Sequence, residues 1–428
     1  MRTAILAPRG TQDLIGKRAY LWHKIKETIR SVVELYSMQE IITPTFEHTE
    51  LFTRSVGEST DVVSKEMYTF NDKGGRSITL RPEGTAGVVR ACVEHGLFQE
   101  LMPLRLFYFA NCFRYDRPQA GRFRELNQFG VEIFGSSSFR TDVQTIEMAL
   151  KVLEKFGLRN QVALAINSIG CKECRATYQQ ALLRYLSSNQ ESFCKTCQGR
   201  IEQNPLRVLD CKEEACGNLN AEAPSILEFL CADCCAHFEG LKRGLETLEI
   251  EYRIDHKLVR GLDYYSRTVF ELEMPKPEGG AIAVCGGGRY DSLVESLGGP
   301  ATPAFGFGMG LERLMLLLAE HGIEPPKPRT TDVFIVGFDE NNKEEEELIH
   351  FLLSGLQKKG IIAQCDVMQR TIKSQFKYAD KVGARFSVVV GEEERKSKIL
   401  TLKDLRSSTE VKVAQTEVID YLVKALSL

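Results

Sequence analysis

Apolar and polar positions alternate through RLFYFANCFRYD and again through LNQFGVEIFG, with the polar run RPQAGRFR between them. A period of two puts successive side chains on opposite faces of a strand. In the first strand Phe107, Phe109 and Phe113 share one face, and Tyr108, Cys112 and Arg114 share the other. In the second, Phe129, Val131 and Ile133 face a core, opposite Gln128, Gly130 and Glu132. The pattern predicts strand, loop, strand over 105–135. SRTVFE (266–271) alternates likewise, and FGFGMG (305–310) reads as a strand that runs into a helix, LERLMLLL.

The period turns helical from 168 to 240, in TYQQALLRYL and ILEFLCADCCAHFEGLKRGLETL. An insertion therefore interrupts a larger domain, 1–322, whose two parts are 1–167 and 241–322. IEPPKPRTT (323–331) is proline-rich and reads as a stiff linker. Beyond it, over 332–428, strand DVFIVGF, an acidic helix, strand IIAQCDV, helix SQFKYADKVGA and strand FSVVVGEEE alternate. That order predicts a compact α/β domain of about 100 residues.

Composition narrows the picture. The chain has 428 residues, of which 43% are hydrophobic, enough to bury a sizeable core in two or three domains. A net charge of -3 excludes a basic clamp, so any nucleic-acid contact must come from local patches. MRTAILAPRGTQDL lacks the apolar core and cleavage site of a secretory signal, and no run of about 18 apolar residues appears. A cytoplasmic protein with no membrane segment is expected.

Nine of the thirteen cysteines fall between Cys171 and Cys235. In a reducing compartment a disulfide framework is not expected. Repeated CxxC pairs suit a structural Zn2+ site, because two thiolates so spaced can bind one tetrahedral ion. Cys174, Cys194, Cys197 and Cys234 are one of several quartets the spacing allows. A cysteine-tolerant helical segment would look the same.

Four stretches carry candidate chemistry. Gln128, Gly130 and Glu132 beside Arg114 form a polar floor, with Gly130 marking where a ligand can approach the backbone. The loop RPQAGRFR brings Arg117, Arg122 and Arg124, which suits phosphate. Gly306, Gly308 and Gly310 alternate and leave a flat strip for a planar ring, with Arg313 just beyond in reach of a phosphate. In ITLRPEGTAGVVR, Glu83 sits in a turn before a helix and can offer a carboxylate to a cation. The stretch LVRGLDYYSRTVFE adds Arg260, Tyr264 and Tyr265 where a strand enters the core.

With these motifs the chain resembles the class II aminoacyl-tRNA synthetases. The Arg-bearing strand–loop–strand and the later GxGxGxER are similar to their motifs 2 and 3, and IITPTFEHTELF (41–52), with Pro44, to the motif 1 that builds a dimer interface. TLRPEGTAG, RGLDYY and GGRYD (287–291) resemble signatures of the histidyl-tRNA synthetase family. The resemblance covers essentially the whole chain. It implies an α+β catalytic domain with a mixed, mainly antiparallel sheet, a helical insertion, and a C-terminal α/β domain like the family's anticodon-binding domain.

The resemblance also implies roles. The substrates would be L-histidine, ATP with Mg2+, and tRNA(His), and the assembly a homodimer. Glu83, Thr85 and Gln128 would hold the α-amino group. Glu132, Tyr264, Tyr265 and Tyr290 would line the imidazole pocket. Arg114 would hold the α-phosphate, with Arg122, Arg313, Gly308 and Gly310 on the rest of the nucleotide. Arg260 would reach both the histidine carboxylate and the α-phosphate. Arg117 and Gln119 are candidates for the tRNA acceptor end, and Lys377, Lys381 and Arg385, at helical spacing, for the anticodon side. Leu126 stands where the family stacks a Phe on adenine, Asn127 replaces the usual His, and Asp116 the usual Glu. The competing reading is a non-catalytic paralogue, the regulatory subunit of ATP phosphoribosyltransferase, which typically lacks a C-terminal domain.

Overall fold

A computed structural model describes residues 4–57, 60–209, 211, 213–275, 281–324, 330–337 and 342–426, without the side chain of 203. The chain forms two compact units, Met1–Pro325 and Pro326–Leu428. The middle of the proline-rich run, 325–329, lies outside the described residues. Among those residues no helix is long and apolar enough to cross a membrane.

The strands of the first unit are β1 (Gln39–Glu40), β2 (Phe46–His48), β3 (Tyr68–Asn71), β4 (Ser77–Leu80), β5 (Leu104–Phe113), β6 (Glu125–Phe134), β7 (Ala163–Ser168), β8 (Arg253–Ile254), β9 (Ser266–Pro275), β10 (Ala281–Arg289) and β11 (Ala304–Gly310). Eight of them form one sheet in the order β1-β5-β6-β11-β10-β9-β7-β8, and β2, β4 and β3 form a small one. The central pairings are antiparallel, and only the edge strands β1 and β8 pair in parallel. This is the mixed, mainly antiparallel sheet expected.

The alternation in β5 and β6 is realised residue by residue. Phe107, Phe129, Val131 and Ile133 enter a core with helices Lys17–Glu34 and Phe139–Lys155, where Ile25, Ile29 and Ile146 are fully buried. The opposite face is covered too. Tyr108 and Cys112 belong to a second core that includes Val88 and Val89 of helix Thr85–Glu94 and Tyr178, Leu182 and Leu186 of helix Lys172–Ser188. The helical segment therefore shares a continuous apolar core with the sheet. Its last helix, Ala232–Thr247, runs on through the boundary drawn at 240.

That helix is anchored by a buried charge cluster. Arg289 of β10 and Asp142 of helix Phe139–Lys155 are both 0% exposed and pair at 2.7 Å. Arg289 also donates to the Ser136 and Ser138 carbonyls, and His237 Nε2 lies 2.8 Å from the same carboxylate. A buried ion that loses its partner is left desolvated, at a cost of about 3–5 kcal/mol. Asp142→Ala is accordingly expected to lower the stability of the first unit by about that amount, read as a lower denaturant midpoint. An unchanged midpoint would mean that the cluster contributes nothing net.

The second unit holds β12 (Val333–Gly337), β13 (Ala363–Cys365), β14 (Phe386–Val390), β15 (Ile399–Asp404) and β16 (Thr409–Ala414), ordered β13-β12-β14-β15-β16. The first three are parallel, with helices Lys343–Lys358 and Ile372–Lys381 between them. The sequence reading missed the antiparallel β15 and β16. Lys377 and Lys381 are exposed on the second of these helices, but the helix ends at Lys381. Arg385 lies past it, 3.8 Å from Asp404, so the expected three-residue helical stripe is a pair.

Candidate active site

The second face of the large sheet is made of glycine at its centre. Register sets Gly130 opposite Gly308 and Gly308 opposite Gly286, with Gly306 beside Gly288 in the next row. The sequence predicts that the β11 strip is bare, and here the structure differs. Polar side chains from neighbouring elements lie across it. A Cβ on Gly306 would come closer than 3.0 Å to the Glu132 carboxylate, one on Gly308 to the Gln128 amide, and one on Gly286 to the Arg260 guanidinium. The Tyr108 ring covers Gly130 in the same way. The glycines make room for a polar layer one side chain deep.

Glu132 is the centre of that layer, at 1% exposure. Thr85 Oγ1 donates to its Oε1 at 2.8 Å and Tyr108 at 3.1 Å, while the Tyr290 hydroxyl donates to Oε2. Burial pushes the carboxyl up to about 8, and the hydroxyl donors only partly oppose this. Glu83, 2% exposed, caps helix Thr85–Glu94, accepting the Thr85 and Ala86 amides at 2.7 Å each. Burial raises this carboxyl as well, and the two amides oppose it. Both acids belong to one enclosed cluster that can serve a cationic or hydrogen-bonding ligand.

RGLDYY forms one wall. Tyr264 and Tyr265 precede β9, with ring centres 4.7 Å apart, and Tyr264 lies 5.6 Å from Tyr290. GGRYD supplies both layers, since Arg289 points into the buried ion cluster and Tyr290 to Glu132. The Arg260 guanidinium pairs with Glu271 of β9, and its buried Nε has no hydrogen-bond partner among the described residues. A cavity of about 260 Å³ borders this wall, lined by Arg260 and Tyr265 and by Arg175, Gln179 and Arg207 of the helical insertion. Neither Glu83 nor Glu132 lines it, so it flanks the polar cluster.

Arginines collect at the far end of the floor. Arg114 Nε donates to the Pro82 carbonyl at 2.8 Å, and Arg313 donates to the Ala283 carbonyl. Burial depresses the Arg313 pKa, and Arg122 and Arg114 add like-charge repulsion. Arg122 pairs with Asp116, while Arg117 and Gln119 are exposed at the tip of the hairpin loop. Such a cationic group favours a polyanion.

Asn127 has a definite partner. Its side chain donates to Glu312 Oε1 at 2.8 Å and its backbone amide to Oε2 at 2.9 Å, tying β6 to helix Leu311–Glu320. Leu126 is partly buried against the second core, beside Cys112. Sequence reasoning did not assign Tyr108, Glu271 or Glu312 to the site. Tyr108 was visible in the alternation of β5, on the face of Arg114, and Glu271 in that of β9.

The proposed cysteine quartet does not assemble. Cys174 and Cys234 gather with Cys171 and Cys231, whereas Cys194 and Cys197 gather with Cys211 and Cys216. The CxxC spacing identified pairs, but only the fold decides which pairs meet.

Comparison with known proteins gives a consistent result. The family described as "Histidyl-tRNA synthetase" matches residues 10–314, and the one described as "Anticodon binding domain" matches 332–425. A curated "Histidine--tRNA ligase" of Caldanaerobacter subterraneus subsp. tengcongensis is 48% identical, over 98% of this chain and 99% of its own. That of Thermoanaerobacter pseudethanolicus is 50% identical, over 96% and 97%. The crystal structure of an apo histidyl-tRNA synthetase from S. aureus superposes with a TM-score of 0.82 at 37% identity, covering 98% of this chain and all of that one.

Proposed function

The chain belongs to the histidyl-tRNA synthetase family, and from that premise we propose which residues carry each part of its reaction. The enzyme activates histidine with ATP to histidyl-adenylate and transfers the histidyl group to tRNA. The observation that carries the site assignment is the Glu132 carboxyl, buried on a glycine floor and ringed by the hydroxyls of Thr85, Tyr108 and Tyr290. An imidazole offers one donor and one acceptor nitrogen, and this cluster offers both complements. An apolar amino acid would strand these buried groups without partners, a penalty that reaches about 10⁴–10⁵ in discrimination.

Glu83 and Gln128, with Thr85, hold the α-amino group, and Tyr264 and Tyr265 close the pocket. Arg260 spans the histidine carboxylate and the α-phosphate, exchanging its contact with Glu271 for the ligands, and its unpartnered Nε supplies a further donor. ATP enters as its Mg2+ complex, with Arg114 on the α-phosphate, Arg122 and Arg313 beyond it, and Gly308 and Gly310 leaving room for the nucleotide. A carboxylate oxygen of histidine attacks the α-phosphorus, the bond to the β-phosphate oxygen breaks, and pyrophosphate leaves with its electron pair. No general base is needed, because the nucleophile is already ionised. Catalysis comes from alignment and from fixed positive charge where the phosphorus develops negative charge.

Arg117 and Gln119, exposed on the hairpin loop, are offered to the tRNA acceptor end, and Lys377 and Lys381 to the anticodon side. The chain acts as a homodimer through 41–52, where exposed Ile42 and Phe46 supply apolar surface. Histidine-dependent ATP–pyrophosphate exchange tests the reading. The purified chain should exchange only when histidine is present. Histidine binding without exchange, by a folded chain, would favour the regulatory paralogue and overturn the synthetase assignment.

A further inference from the structure

We propose that the helical insertion binds two separate zinc ions, each in its own tetracysteine site. One site is Cys171, Cys174, Cys231 and Cys234, and the other is Cys194, Cys197, Cys211 and Cys216. Within each group all four sulfurs lie within 4.8 Å of one another. A tetrahedral ion with Zn–S bonds of about 2.3 Å holds its sulfurs about 3.8 Å apart. The Cys171–Cys174 and Cys194–Cys211 sulfurs, 3.5 and 3.9 Å apart, bracket that value. A disulfide needs about 2.05 Å, and all eight thiols are free. A polynuclear iron–sulfur cluster divides its four cysteines among two or more irons and would spread them wider than they are.

The surroundings suit thiolates. Cys171, Cys194 and Cys231 each immediately precede a helix, where unpaired N–H groups and the helix dipole favour negative sulfur. The Cys231 amide donates to Cys174 Sγ at 3.1 Å and the Cys194 amide to Cys216 Sγ at 3.3 Å. Such donors offset the charge of a metal tetrathiolate. The leftover cysteine is informative as well. Cys235 is exposed and belongs to neither group, while the other eight in this stretch divide four and four. A segment that merely tolerates cysteine would not sort them this way.

The first site is a clamp at the neck of the insertion. The Ile169 and Arg267 amides donate across to the Arg267 and Gly170 carbonyls, at 2.7 and 2.8 Å, so the outgoing chain is tied to the start of β9, next to Tyr265. Cys231 and Cys234 hold the returning chain at the same point. The helix after Cys171 carries Arg175 and Gln179, which line the same cavity as Arg260. The second site ties the short helices Leu206–Leu209 and Glu214–Ala221 to the start of helix Lys195–Gln203. Because metal binding is coupled to folding, an ion there adds its binding free energy to the order of these short helices.

The test uses the full chain purified without added metal or chelator. Elemental analysis should find two zinc per chain in a colourless protein. Titration with an organomercurial should release both into a zinc-sensitive dye. The double variants Cys231→Ser/Cys234→Ser and Cys194→Ser/Cys197→Ser should each retain one zinc. If a variant fails to fold, cobalt substitution of the wild-type chain decides instead, with tetrathiolate absorption saturating at two equivalents. Zinc at one per chain or below, cobalt saturation short of two, or a visible iron band would overturn the proposal.

Discussion

Arg260→His is expected to lower histidine-dependent pyrophosphate exchange by about 10²–10³-fold while histidine affinity stays within a few-fold of wild type. The split follows from where Arg260 sits. In the proposed site the contacts to the amino acid centre on Glu83, Gln128 and Glu132, none of which pairs with Arg260. Its guanidinium instead lies over Gly286, paired with Glu271, on the side of the floor that leads to Arg313. A group that touches both reactants gains most when the phosphorus becomes five-coordinate and the charge between them grows. Such a group affects kcat more than KM. Lysine is not an adequate substitute, because one ammonium cannot address a carboxylate and a phosphate with a planar fork. Exchange kinetics alongside equilibrium histidine binding read the two quantities separately, and preserved binding shows that the pocket still folds. Near-normal exchange would remove Arg260 from the reaction.

How much of this was legible in the sequence depends on distance along the chain. Alternation within β5 and β6 assigned faces to Tyr108, Gln128 and Glu132, because a strand's period is local. The glycine strip of β11 was legible as glycine, yet its covering was not. Gly306 faces Glu132 only through the register of two strands far apart in sequence. The same holds for Asn127 with Glu312 and for Asp142 with His237 and Arg289, whose partners come from separate elements. Burial is the other missing quantity. A row of polar residues opposite a core can be a solvated face, and only the packed helices Thr85–Glu94 and Lys172–Ser188 make it an enclosed one. The cysteines show the limit most plainly, since spacing identified CxxC pairs but the long loops between them left their association open.

If Glu132 reads the imidazole as proposed, its burial also sets the pH dependence of histidine binding. With its pKa raised to about 8, Glu132 keeps its proton across the neutral range in the free enzyme. Free histidine loses its imidazole proton at about pH 6.5. A complex that holds a single proton between Glu132 and the imidazole satisfies both groups without leaving a bare buried charge. Between about pH 6.5 and 8, such binding neither takes up nor releases a proton, and affinity should be flat. Below about pH 6.5 the separated partners carry two protons and the complex one, so affinity should fall about tenfold per pH unit. If instead a fully ionised Glu132 faces a neutral ring, binding expels the carboxyl proton, and affinity climbs about tenfold per unit between about pH 6.5 and 8. Calorimetry at pH 7.2 in buffers of different ionisation enthalpy separates the cases, because the first predicts no buffer dependence and the second one proton released. Glu132→Gln keeps the shape but has no ionisable proton to share with the ring. It should weaken histidine by about 1.5–3 kcal/mol, the worth of a hydrogen bond to a charged group, or roughly ten- to a hundred-fold. Unchanged affinity in that variant would move the imidazole site away from Glu132.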